Sequence, residues 1–196
     1  MSELSTVEKI RAAAMELFGE KGYTETSLAD ISSKVGIKKP SLYAHFKNKD
    51  DLFLLTVHDL MNLFLTKLSV IYEQHKTKSA KEQLHCFVVD FCTMIEKDSF
   101  GQMYRRLILF PPEHLQSEVK AIFLRSERLS DQILHAIFTQ GMAEGEIIER
   151  PIDLYINSFY CLTDGLFIQR FYYEPEYYDQ KIHDAWTIFW EGIRAK

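Results

Sequence analysis

Five lysines, Lys34, Lys38, Lys39, Lys47 and Lys49, fall within residues 31–49, a stretch with no carboxylate. Ser41, Tyr43 and His45 are interleaved with them. Ammonium groups neutralise phosphates, and hydroxyl and imidazole groups add hydrogen bonds to the same oxygens, so this is the chemistry of contact with a nucleic-acid backbone. A formal charge of −5 over all 196 residues argues weakly the other way. The charge is unevenly spread, however. Residues 1–50 hold eight Lys/Arg against seven Asp/Glu, and the remaining 146 hold 15 against 21. An acidic remainder is repelled by DNA and helps to turn the basic stripe toward it.

Other chemistries find less support. The seven histidines (45, 58, 75, 85, 114, 135, 183) make no H-x-x-x-H pair and no Cys/His cluster, and neither G-x-S-x-G nor a phosphate-binding P-loop occurs. No metal site, cofactor or catalytic role is expected. Cys86, Cys92 and Cys161 are odd in number and lack C-x-x-C spacing, so they read as small core residues rather than a disulfide framework. No apolar run reaches the ~18 residues that span a bilayer, and the polar start Met1–Lys9 does not read as a secretory signal. A cytoplasmic location without membrane partners is the expectation.

The elements that must position the basic residues are helices. Ile10, Ala13, Ala14, Leu17 and Phe18 recur on one face of a helix over about 5–20, opened by a Ser5/Glu8 capping box and ended at Gly22. A second helix starts near Thr26 or Ser27, with Asp30 at box spacing, turns Leu28, Ile31 and Val35 inward and stops at Gly36. A third, over about 39–46, has Pro40 in its first turn, where a missing N–H costs nothing. Two short helices around a tight glycine turn have helix-turn-helix spacing. Leu42 and Phe46, four apart, pin the third helix to the second and leave its polar face free for a major groove. Further helices are expected over about 48–75, 80–97, 101–109, 115–143, 152–173 and 176–194.

Two longer patterns sharpen this reading. Leu17-Phe18, Gly22-Tyr23 and Thr26-Ser27 fit L-F-x-x-x-G-Y/F-x-x-T-S/T, and Leu42-Tyr43, His45-Phe46 and Lys49 fit L-Y-x-H-F-x-x-K. Over these 50 or so residues the chain resembles the DNA-binding domain of the TetR family of bacterial regulators. Three positions depart from the commonest pattern: Lys38 in place of a capping Ser or Thr, Pro40 in place of a small residue, and Ser32 in place of Ala. The resemblance implies phosphate contacts from the hydroxyl of Tyr43 and the ammonium of Lys49. Thr26 or Ser27, at a helix start, is placed to bind a phosphate. Lys38, Lys39 and Ser41 face base edges or nearby backbone, with Lys39 first for a base contact and His45 on the same helix.

The resemblance also implies a dimer through the last two helices. These are apolar over most of their surface, and Cys161 and Gly165, four apart, allow a close crossing. Cys161, Gly165, Ile168, Trp186, Phe189 and Trp190 are the expected interface. A two-fold dimer suits a palindromic operator on double-stranded DNA. Phe64, Phe91, Met94, Met103, Tyr104, Phe123, Phe159, Tyr160, Asp164 and Phe167 are candidates to line an apolar pocket for a small hydrophobic or aromatic ligand, although aromatic residues at helical spacing also build ordinary cores. The fold class is therefore all-α: a helix-turn-helix domain over 1–50 and a helical effector-binding and dimerisation domain over 51–196. The function read from it is a ligand-released repressor. Two alternatives stay open: an architectural or division-control DNA-binding factor without a ligand, and a protein-interaction module reusing the fold.

Overall fold

Ser5 opens the first helix as an N-cap. Its hydroxyl accepts from the Glu8 backbone N–H at 3.3 Å, and its own N–H donates to the Glu8 carboxylate at 2.8 Å. The helix, α1 (Thr6–Glu25), buries Ile10, Ala13, Ala14, Leu17 and Phe18. Its ladder is interrupted at Gly22, where φ is 82° and glycine alone is at ease. Ser27 and Asp30 form a second capping box at the head of α2 (Leu28–Val35), and Gly36, at φ 75°, closes it. Then come α3 (Lys39–Tyr43), α4 (Lys49–His75), α5 (Ala80–Met94), α6 (Ser99–Leu109), a 3₁₀ turn (Glu113–Leu115), α7 (Gln116–Ala143), α8 (Ile152–Gln169) and α9 (Pro175–Ile193). This computed structural model describes residues 4–94 and 99–196, the side chains of 93 and 94 excepted. Among the described residues the fold is all-α, and the one strand-like feature is an isolated antiparallel bridge between Ile147 and Arg194.

The described residues form two units, 4–64 with 99–126 and 65–94 with 127–196. Neither coincides with a division at residue 50: α1 packs on α6 and is tied to the start of α4. In the first unit α1 and α6 approach backbone to backbone at Gly19, where a Cβ would lie 3.1 Å from Met103 N and 3.3 Å from Ser99 O. Arg106 of α6 donates to Gly19 O (3.3 Å) and Glu20 O (2.9 Å), just ahead of the break at Gly22. Arg11 pairs with Asp59, tying α1 to α4.

In the second unit Glu146 caps α5 by accepting from the backbone N–H of Ala80 (3.0 Å) and Lys81 (3.3 Å). Trp186 and Trp190 stack with centroids 5.9 Å apart, and the His85 ring lies 5.1 Å from Trp186. The end of α9 is tied to the α7–α8 connection through Ile148 N–H to Ile193 O, 2.9 Å.

By length and composition α4 is apolar enough to cross a membrane. Its apolar residues have packing roles: Leu52, Phe53, Val57, Leu60 and Met61 are buried in the first unit, Leu68 and Ile71 in the second. Helix α8 stops at Gln169, short of the expected 173; Arg170 N–H still reaches Leu166 O (3.1 Å), but Phe171 and Tyr172 turn to i−3 carbonyls.

Candidate nucleic-acid interface

Helix α3 has two unlike faces. Leu42 and Phe46 are buried, whereas Lys38, Lys39, Ser41, Tyr43, Ala44, His45 and Lys47 are exposed. Lys38 is the N-cap and makes no side-chain cap, as its lack of an acceptor requires. Its ammonium is therefore not held by the helix start. The Lys39 ammonium lies 5.9 Å from the centre of the Tyr43 ring. This face presents cations, a phenol, an imidazole and a hydroxyl together on a helix narrow enough for a major groove.

The helix starts around it are differently occupied. Thr26 is fully buried, and its hydroxyl donates to Leu17 O (3.0 Å) and Gly22 O (2.8 Å). It staples the break in α1 and has no hydroxyl to offer a phosphate, so of the Thr26/Ser27 pair only Ser27 stands at the surface. There its hydroxyl and N–H donate to the Asp30 carboxylate at 2.7 and 2.9 Å. A phosphate at this helix start would share those donors with Asp30. Lys34 is paired with Glu16 at 2.6 Å, which takes one cation out of the basic stripe.

Lys49 is half-buried at the head of α4. Its ammonium sits 4.1 Å from the centre of the Tyr23 ring and donates to Thr24 O at 3.3 Å. Partial burial lowers its pKa, with Asp50 opposing. The Tyr23 hydroxyl donates to Asp50, and His114 of the 3₁₀ turn lies 3.3 Å from the same carboxylate. Burial and the Asp50 charge push the Tyr23 phenol up to about 12, while the Tyr23 hydrogen bond, with His114 and Lys49, holds Asp50 below the usual carboxylate range. This Tyr23–Asp50–His114 cluster fixes the surroundings of Lys49. Sequence patterns contain Tyr23 but give no hint of His114, which reaches the site from 64 residues beyond Asp50.

The second set of expected residues is dispersed. Phe64, Met103, Tyr104 and Phe123 belong to the first unit; Phe91, Phe159, Tyr160, Asp164 and Phe167 belong to the second, and the side chain of Met94 lies outside the described residues. Phe64 stacks on Tyr104 at 5.7 Å, and Phe159 meets Phe138 and Phe189 edge-on. Met103 lines a cleft in the first unit, and Tyr160 one in the second, where its hydroxyl donates to Asp131 at 2.7 Å. Asp164 is exposed. Trp186 and Trp190 are buried within their own unit, and Phe189 is half-buried. The surface stripe on α8 is instead Leu154, Ser158, Cys161, Gly165 and Ile168, and on α9 Ile188 with Gly192. Among the described residues no group of three His, Cys, Asp or Glu side chains is placed to hold a metal ion.

Residues 10–56 match the family described as bacterial regulatory proteins, tetR family. The negative transcriptional regulator IcaR of the biofilm operon icaADBC in Staphylococcus epidermidis is 34% identical over 113 residues, 58% of each chain. The match thus spans little more than half the length of that relative. Solved structures share the fold over nearly the whole chain. The transcriptional regulator FadR from Bacillus subtilis, in complex with stearoyl-CoA, superposes with a TM-score of 0.73 at 21% identity, covering 94% of this chain and 98% of that one. A TetR family transcription regulator from Marinobacter aquaeolei superposes with a TM-score of 0.65 at 18% identity, covering 97% and 96%. The helix-turn-helix over residues 10–56 is thus a match to the tetR family of bacterial regulatory proteins, and the helical fold behind it is one that solved TetR-family structures share.

Proposed function

We propose that the chain is a transcription repressor that binds a palindromic operator as a homodimer and leaves it when a small apolar or aromatic ligand occupies the helical domain. The observation that carries this is the exposed face of α3, with Lys38, Lys39, Ser41, Tyr43 and His45 opposite the buried Leu42 and Phe46. Tyr43 and Lys49 hold phosphates, Ser27 adds a helix start, and Lys39 reads a base edge. The dimer face is the exposed stripe of α8 and α9, where Gly165 and Gly192 leave open space for a close crossing. Ligand release follows if the liganded state holds the two α3 helices out of register with successive major grooves. The FadR neighbour, which carries stearoyl-CoA, supports a ligand-accepting helical domain. A DNA-binding regulator in bacteria works in the cytoplasm, where the chromosome is.

The test is fluorescence anisotropy on the intergenic DNA beside the protein's own gene. Specific binding should weaken by roughly 10³–10⁵ between 50 and 200 mM salt. A protein-interaction module would show no DNA affinity to lose. A factor without a ligand would bind DNA that no small molecule displaces.

A further inference from the structure

A cleft of about 350 Å³ opens within the first unit where the end of α1 meets α6 and the Phe110–Glu113 segment. Its size is that of a small-ligand site. Phe110, Pro111 and Pro112, consecutive apolar residues, line it, and Phe110 is 72% exposed. Arg106 lines the same cleft. Its Nε and Nη2 are engaged by Gly19 O and Glu20 O, while Nη1 lies over the bare Cα side of Gly22. Nη1 has no hydrogen-bond partner among the described residues, which leaves spare donors on a half-buried cation that lines the cleft.

We infer that this cleft binds a small aromatic monocarboxylate, its carboxylate on Arg106 and its ring against Phe110, Pro111 and Pro112. A planar guanidinium selects a planar carboxylate, and proline and phenylalanine faces select a flat apolar body. Among the lining residues other than Arg106, the exposed Lys21 is outnumbered by the exposed Glu25 and Glu113, a net charge of −1 that opposes a dianion such as a phosphate monoester more strongly than a monocarboxylate. Tyr23, whose ring carries the Lys49 ammonium, also lines the cleft. The site is distinct from the apolar residues of the second unit, and its test needs no DNA.

The experiment titrates full-length protein with 2-naphthoate, read by the probe's own fluorescence anisotropy and by calorimetry, with neutral 2-naphthamide as the control. One naphthoate should bind per chain, with the amide about tenfold or more weaker, the loss of a charge-assisted hydrogen bond. Arg106→Gln should weaken naphthoate by a similar factor. Because Arg106 also serves the end of α1, Phe110→Ala provides the second arm: Phe110 is a surface residue, and its loss should weaken binding about fivefold without changing the melting temperature. Absence of saturable binding, equal binding of the amide, or wild-type affinity in Phe110→Ala would each overturn the site.

Discussion

Lys49 shows how much one residue's role depends on what holds it. Its place in the motif proposes it as a phosphate ligand, yet it rests on Tyr23 and Thr24 O rather than extending into solvent. Lys49→Ala should therefore weaken all DNA about equally and lower the log–log salt slope by about one, measured by anisotropy at several ionic strengths. Tyr43→Phe should weaken binding with the same indifference to sequence; unchanged affinity would remove it from the phosphate contacts. Asp50 makes a prediction in pH. Its folded-state pKa lies below the unfolded one, chiefly through the Tyr23 hydroxyl. The stability it contributes is present above the unfolded value of about 4 and is lost as pH falls through the folded value. Asp50→Asn should flatten the acid limb of a stability–pH curve while leaving its shape above pH 6 intact. A parallel loss at every pH would mean that the carboxylate's charge plays no part.

Helix ends were legible in the sequence because their causes are local. Both predicted capping boxes form, Gly22 and Gly36 take the positive φ their turns require, and Pro40 sits in the first turn of α3. Helix partners were less legible, because they depend on side chains far apart in the chain. Gly19 reads as an unremarkable residue within α1, yet it is where α1 and α6 touch. Gly19→Ala should push Met103 N aside and cost about 1–3 kcal/mol in denaturant unfolding; a neutral result would show that the crossing yields. Thr26 was misplaced for the same reason. Its position at a helix start suggests an anion site, while its hydroxyl turns back nine residues to Leu17 O. On α9, which is apolar on two sides, Trp186 and Trp190 are buried in their own unit and Ile188 is exposed: a periodic pattern marks the faces but not which one the protomer itself covers.

At the scale of the molecule, the exposed stripe on α8 and α9 is the feature with the largest consequence for assembly. Ile188 is 76% exposed, and no described residue of its own chain covers it. Ile188→Glu should convert a dimer to a monomer in light scattering and abolish tight binding to a palindromic site while sparing the fold; a dimer that survives would place the interface elsewhere. The basic stripe and the acidic remainder were visible from charge alone, but the two units were not, since both α4 and α7 run from one into the other. The stacked pair Trp186 and Trp190 has a spectroscopic consequence. The chain contains two tryptophans, and both lie in the second unit. Indole emission therefore watches that unit and is blind to the DNA-binding module. If unfolding is concerted along α4 and α7, emission and far-ultraviolet circular dichroism will trace one denaturation curve; if the module melts first, the dichroism will move while the indoles stay silent.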